Sequence, residues 1–303
     1  LKKTFYSNGK LLITGEYTVL DGAQALALPT KFGQSLEVET TNTQLIHWVS
    51  CEVNGGVWLM SNFAISAVIS NTPTGISAEE DTLIKILHYA HRANPELLST
   101  ATGFEVTTKL TFPRQWGLGT SSTLINNIAQ WFGINPYKLL AESFGGSGYD
   151  IACARHDTAI VYKVNGDNPY VSPVNFNPAF ADKLWFVYLN KKQNSRDAIA
   201  AYREHRDDIQ AVIPRIDALT NDAIQATKLN DLASALEKHE ALLGGILGVA
   251  PVQERIFPDF KGVVKSLGAW GGDFVLAVAE DNPVAYFNSK GYTTVIAYGD
   301  MIL

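Results

Sequence analysis

WGLGTSST, Trp116–Thr123, is the stretch on which the reading of this chain turns. An alternating segment, GFEVTTKLTF from Gly103 to Phe112, runs into it as a half-buried strand should. An apolar pattern of helical spacing leaves it at Leu124, Ile125, Ile128, Trp131 and Phe132, and Gly133 stops that helix. Strand, glycine turn and helix together make an anion site. The first amides of a helix have no partner within it, and the macrodipole adds about half a positive charge there. Glycines let a phosphate come close to the backbone. Thr120, Ser121 and Ser122 can cap the helix, donate to phosphate or coordinate Mg²⁺, and ordinary N-capping explains the same hydroxyls. The stretch lacks the Lys-Ser/Thr ending of a P-loop, so positive charge must come from elsewhere in the chain.

Outward from the loop, elements alternate in type. Before it, KLLITGEYTVL (10–20) reads as strand, a turn at Gly15 and more strand. QSLEVETT (34–41) and QLIHWVSCEV (44–53) read as strands, VNGGVW (53–58) as a hairpin, and DTLIKILHYAHRA (81–93) as an amphipathic helix. After it come a helix near NPYKLLAES (135–143), the glycine loop GGSG (145–148) and YDIACARHDTAIVYKV (149–164). The Pro- and Asn-rich VNGDNPYVSPVNFNPA (164–179) is the expected boundary between a domain of residues 1–170 and one of 171–303. Strand LWFVYL (184–189) and two long helical patterns follow, the first interrupted by Pro214, which is expected to kink or break it. The tail reads strand FVLAVA, helix NPVAYFNSKG and strand TTVIAY. That order predicts an α+β fold of antiparallel sheet and helices.

The 303 residues suffice for two domains, and 46% hydrophobic with 18% charged residues excludes a disordered chain. A formal net charge of −6 disfavours non-specific nucleic-acid binding. Cys51 and Cys153 form no ligand cluster and suit a reducing compartment. No run approaches the roughly 20 apolar residues of a membrane span, and LKKTFYSNGK has no signal-peptide core, so a cytoplasmic protein is expected. His88 and His91 lie three apart on a helix without further ligands at metal spacing. Trp131 and Phe132 are most simply core.

Three stretches in order resemble the motifs of the GHMP kinase superfamily, the galacto-, homoserine, mevalonate and phosphomevalonate kinases. Gly9, Lys10, Gly15, Glu16, Tyr17 and Val19 match the first. Pro113, Gly117, Leu118, Gly119, Thr120, Ser121, Ser122 and Thr123 match the central one, and GAWGGDFVLA from Gly268 stands in the place of the third. Gly15-Glu16-Tyr17, GSGYDIA from Gly146 and the Gly271-Gly272-Asp273 triplet are closest to the phosphomevalonate kinase branch. The resemblance implies an N-terminal domain like ribosomal protein S5 domain 2 and a ferredoxin-like C-terminal domain. It implies ATP and Mg²⁺ as cofactors and a small-molecule acceptor of the mevalonate or phosphomevalonate class. It implies neither a nucleic-acid nor a membrane partner and leaves room for a homodimer.

By the same resemblance, Gly117–Ser122 wrap the ATP phosphates, Ser121 and Glu142 hold Mg²⁺, and Asp150 with Lys10 does the chemistry. Glu142 lies closer to Asp150 than in mevalonate kinases. Glu16, Tyr17, Ser147, Ser195 and Arg196 are the candidate acceptor contacts, with Arg114, Lys191 and Lys192 as other sources of charge. An alcohol acceptor gains from a general base. A phosphate monoester, with a second pKa of about 6, needs cations more. The chain departs from the pattern at Ser122 and Thr123, where alanines are usual. It departs again at Trp270, where glycine is usual, and there a large ring would block a phosphate or wall the acceptor pocket. The alternatives are a diphosphomevalonate decarboxylase, a sugar or homoserine kinase, and a non-catalytic nucleotide-binding or regulatory protein of the same fold.

Overall fold

The first half of the chain forms the strands β1 (Lys3–Leu12), β2 (Ala25–Thr40), β3 (Leu45–Cys51), β4 (Val57–Ala64) and β5 (Phe104–Leu110), and burial alternates residue by residue along β3, β5 and part of the second half of β2. In β5 the alternation is complete, with Phe104, Val106, Thr108 and Leu110 inward. The computed structural model describes residues 2–166, 168–193, 195–204 and 209–303, with backbone alone for 195–198 and 201. Contacts divide the chain into two compact units that interleave along the sequence. The first comprises Leu1–Gly9, Phe32–Arg114 and Leu118–Arg155; the second comprises Lys10–Lys31, Gln115–Gly117 and His156–Leu303.

In the first unit the strand order is β4–β3–β5–β2, and β1 pairs with β2. The second half of β2 runs antiparallel to β5, from Gln34 opposite Leu110 to Thr40 opposite Phe104. β3 is parallel to β5, and the chain between them crosses over through the helix Ala78–Ala93. That helix is capped by Ser77, which accepts from the Glu80 N–H, and carries acids in its first turn, as the dipole favours. Leu83, Ile86 and Leu87 pack with Trp48, Val106, Ile125, Ile128 and the edge-to-face pair Trp131–Phe132 in one core. Each such buried side chain stabilises by about 1.5–3 kcal/mol.

In the second unit the first half of β2 pairs with β6 (Ile160–Lys163), and β6 with β7 (Tyr170–Pro173), both antiparallel. A separate antiparallel sheet contains β8 (Leu184–Tyr188), β9 (Val263–Ser266), β10 (Phe274–Val278) and β11 (Val295–Ala297) in the order β11–β8–β10–β9. The helices Ile209–Gln225 and Leu229–Leu247 pack on one another. The α+β class read from the sequence is thus the observed one.

Two local readings are corrected. Residues Thr18–Asp21 are a 3₁₀ turn and not strand. Tyr17 at φ 59 reverses the backbone, and Val19 N–H donates to Gly15 O at 2.9 Å. Pro214 does not break its helix, which runs through it to Gln225; the residue is exposed, so the Gln210 carbonyl it leaves without an amide can bond to water. Among the described residues no helix is long and apolar enough to cross a membrane.

Gly33 marks where β1 and β2 come closest in the first unit. Its N–H donates to Thr111 Oγ1 at 2.8 Å, and a Cβ there would overlap the Ser7 carbonyl and the Tyr6 ring. Gly33→Ala is expected to destabilise the protein by about 1–3 kcal/mol through overpacking, measured as a lower urea midpoint at unchanged m-value.

Candidate active site

The central loop leads from β5 through left-handed turns at Gly117 (φ 68) and Gly119 (φ 96) into the helix Thr120–Phe132. A residue with Cβ adopts such a backbone at a cost of about 1–2 kcal/mol. Gly119 is the N-cap and brings no side chain to its own helix, so it offers the first amides no side-chain acceptor. The hydroxyls divide by environment. Ser121 is exposed on the first turn, and Thr120 is half-buried. Ser122 is buried and donates back to Gly119 O at 2.8 Å. Thr123 is buried with Gln34 Oε1 at 2.8 Å and Gly119 O at 3.0 Å as acceptors, a polar anchor in place of the usual alanine. Leu118 is fully buried. A glycine N-cap with an exposed hydroxyl beside it suits a phosphate group.

Also in the first unit, GGSG takes left-handed turns at Gly145, Gly146 and Gly148 and delivers Asp150 to the helix Tyr149–Arg155. This helix packs on the loop's helix, Thr120–Phe132. Asp150 is half-buried, with Oδ1 accepting the Ile151 N–H at 3.0 Å; Ser147 is half-buried beside it in sequence. Glu142 is exposed on the helix Pro136–Ser143. Arg114 lies over the Trp58 ring at 4.2 Å and 3.7 Å from Glu79, which engages it locally. Among the described residues no three His, Cys, Asp or Glu side chains gather as a metal site; His88 Nδ1 lies 2.9 Å from Val68 O.

In the second unit, Lys10 is half-buried near the end of β1. Asp273, the acid that follows Gly271 and Gly272, sits against Gly117 so closely that a Cβ there would overlap its carboxylate. Its Oδ1 accepts the Gln193 N–H at 3.1 Å. Burial pushes the Asp273 carboxyl up, and the opposing charge of Lys10, the Gln193 N–H and Lys192 act to lower it. The signal in the sequence was an acid following two glycines. The side chains of Ser195 and Arg196 lie outside the described residues.

Glu16 and Tyr17, read as acceptor contacts, are instead enclosed. Glu16 is fully buried and ion-paired with Lys265, while His239 Nε2 stands 3.7 Å from its other oxygen. His239 Nε2 accepts the Gly15 N–H at 2.9 Å, so the ring is neutral with its proton on Nδ1, and burial holds its pKa well below the usual value. Glu240 accepts from Val252 N–H, Ser266 N–H and Ser266 Oγ and lies 4.0 Å from Lys265. Tyr17 stacks on Tyr202, and its hydroxyl accepts the Trp270 N–H at 2.9 Å. The Trp270 ring joins the buried cluster of Tyr17, Tyr202, Ile216 and Leu243.

Burial raises Glu16 from 4.5 to about 7, with Lys265 opposing the rise. A carboxyl raised on folding stabilises fully below its unfolded pKa and loses that contribution as pH climbs through the folded value. From pH 5 to pH 8 the wild type is therefore expected to lose stability relative to Glu16→Gln by up to about 3 kcal/mol, read from paired thermal melts. Lys265→Met, which leaves two carboxylates buried without their cation, is expected to destabilise at pH 8 by about 3–5 kcal/mol.

No family model and no curated protein matches the chain in sequence. Solved structures do match it in fold. The mevalonate kinase of Methanococcus jannaschii superposes with a TM-score of 0.74 at 15% identity, over 98% of this chain and 97% of that one. The Streptococcus pneumoniae phosphomevalonate kinase, in complex with phosphomevalonate and AMPPNP, gives 0.72 at 15% identity over 97% and 99%. The Lactococcus lactis galactokinase complexed with galactose gives 0.69 at 15% over 95% and 88%. End to end, the chain has the two-domain α+β fold of the GHMP kinase superfamily, whose motifs its sequence resembles.

Proposed function

We propose that the chain is an ATP- and Mg²⁺-dependent small-molecule kinase acting on phosphomevalonate or mevalonate. The observation that carries the reading is the glycine-capped helix after Gly119, with Asp150 on the helix packed beside it. The neighbouring phosphomevalonate kinase, solved with AMPPNP, supports a nucleotide as co-substrate.

In this reading the loop amides and Thr120–Ser121 hold the nucleotide phosphates. Transfer forms a bond from the acceptor oxygen to the γ-phosphorus and breaks the bond from that phosphorus to the β–γ bridging oxygen, releasing ADP. Little covalent work falls to the protein, which positions the groups and stabilises charge. Asp150 accepts the proton of a hydroxyl acceptor. For a phosphate acceptor it orients, since that oxygen is already ionised. Lys10 stabilises charge on the transferring group. Ser121 and a carboxylate, for which Glu142 is the candidate, would hold Mg²⁺, which would supply positive charge to the nucleotide phosphates. Glu16 and Tyr17 serve the site indirectly, by fixing the turn that follows Lys10.

A coupled ADP-release assay over mevalonate, phosphomevalonate, homoserine and galactose, with CO₂ measured in parallel, tests this. Turnover is expected with one of the mevalonate compounds, without CO₂. Asp150→Asn is expected to lower kcat by about 10²–10⁴-fold while ATP binding stays within a few-fold. Turnover with neither mevalonate compound rejects the substrate class, and an unchanged kcat removes Asp150 from the chemistry.

A further inference from the structure

A helix that offers its first amides to a ligand must be held by something other than a cap, because a capping side chain consumes those amides. The helix Thr120–Phe132 has glycine at its N-cap and no side-chain cap. What holds it is a polar seam against β1 and β2. The side chains of Ser7, Gln34, Thr123, Asn126 and Asn127 are all buried there. Thr123 Oγ1 donates to Gln34 Oε1 at 2.8 Å. One turn further on, Asn127 Nδ2 donates to the Gln34 carbonyl at 2.9 Å. Ser7 Oγ donates to Asn127 Oδ1 at 2.7 Å and accepts from Asn126 Nδ2 at 2.8 Å. All of these residues belong to the first unit.

An apolar seam would bury the helix as well, but it would tolerate sliding. Here a slip of one residue, about 1.5 Å along the axis, would leave several buried polar groups without partners. The seam therefore fixes the axial position of the helix, and Gln34 is its fixed end. The preceding Gly33 bonds to Thr111 in both directions, and Gln34 stands opposite Leu110, the last residue of β5. The seam also reaches the N-cap. Thr123 N–H donates to Gly119 O at 2.9 Å, and Ser122 Oγ donates to the same oxygen at 2.8 Å. A carbonyl oxygen accepts two such bonds, so the one hydroxyl proton of Thr123 goes to Gln34. Gln34 holds Thr123, and Thr123 holds the N-cap carbonyl.

We propose that Gln34 is a positioning residue: through Thr123 it sets where the turn Gly119–Ser122 presents its amides to the nucleotide phosphates. The inference rests on the kinase reading for what the turn binds, but not for how the turn is held. Transfer is sensitive to such placement, since a shift of about 1 Å costs about a hundredfold in rate.

Two variants separate positioning from structure. Gln34→Met removes the side-chain acceptor but keeps the carbonyl that Asn127 uses, so the helix stays docked. The Thr123 hydroxyl keeps an acceptor in Thr120 O, 3.1 Å away. The double variant Gln34→Met/Thr123→Val replaces both partners with apolar groups of similar shape. Both are expected to melt within about 3 °C of wild type. In Gln34→Met the Thr123 N–H reports the turn directly. Its exchange with D₂O, followed in ¹H–¹⁵N spectra, is expected to be about tenfold faster or more, with the amides of β5 unchanged. In both variants kcat/KM for the nucleotide is expected to fall by about tenfold or more, while KM for the mevalonate compound moves less than about threefold. Thr123→Ser keeps the hydroxyl and is expected to retain wild-type kinetics within about threefold. A role confined to stability predicts wild-type kinetics wherever the melt is wild type. Unchanged Thr123 exchange overturns the proposal, and so does a nucleotide kcat/KM within twofold of wild type in the double variant. The exchange needs no turnover: wild type inactive on every acceptor rejects the kinase reading, while faster Thr123 exchange still supports the hold of Gln34 on the turn.

Discussion

The ion pair between Glu16 and Lys265 joins residues 249 apart and holds the first motif to a strand near the other end of the chain. A buried carboxylate tolerates the loss of water only with a cation and hydrogen bonds in exchange. Here one ammonium lies between Glu16 and Glu240, and the nearby His239 is neutral, so the cluster carries one negative charge when both acids are ionised. Burial is the main reason for the high pKa of Glu16; Lys265 opposes it, and the charge of Glu240 adds to it last. Its second oxygen and His239 Nδ1 find no hydrogen bond among the described residues. Such a cluster contributes little net stability, but it admits one arrangement. The Gly15 turn must meet His239, and β9 must present Lys265 inward. Gly15 itself allows no alternative, since a Cβ there would lie 2.6 Å from Gln24 O.

From that anchor the rest of the second unit follows. Thr14 is hydrogen-bonded to Thr220, Gln24 N–H donates to Asp217, and Tyr17 receives the Trp270 N–H. These contacts explain why Lys10–Lys31 belong to a unit built, apart from Gln115–Gly117, from residues after 155. They also explain what the Gly-Glu-Tyr signature does in this chain. It carries structural charge and a stacking surface. Asp273, three residues beyond Trp270, is set by the same anchoring.

Much of this fold was legible in local pattern. The alternation in β5, the helical stripe after Ser122 and the left-handed stop at Gly133 are short-range facts, and each element formed where its spacing placed it. The first half of β2 was not legible. Ala25 to Thr30 are buried on both faces, so no alternation appears, and Pro29 argues against a strand. The roles of Glu16 and Tyr17 were hidden for a different reason. A motif shows which residues recur together, but whether a carboxylate faces solvent or an ammonium depends on Lys265, His239 and Glu240, more than 200 residues away. Asp273 was visible as a letter and silent as a group, because its meaning lies in φ and in the absent Cβ of Gly117.

Trp270 shows how a departure from a family pattern is absorbed. A large ring at a glycine position would clash if it pointed toward the glycine turn. Here its amide is fixed by Tyr17, and its ring enters the cluster with Tyr202 and Leu243, reaching within 3.8 Å of where a Cβ on Gly244 would stand. That is ordinary contact; what excludes a Cβ on Gly244 is the Val249 carbonyl, 2.7 Å away. The cost is an indole N–H with no acceptor among the described residues, a penalty of about 1–3 kcal/mol that burial of the ring offsets. Gly271 and Asp273 beyond it are left-handed and make a tight turn. The Asp273 carboxylate at the end of that turn lies against Gly117.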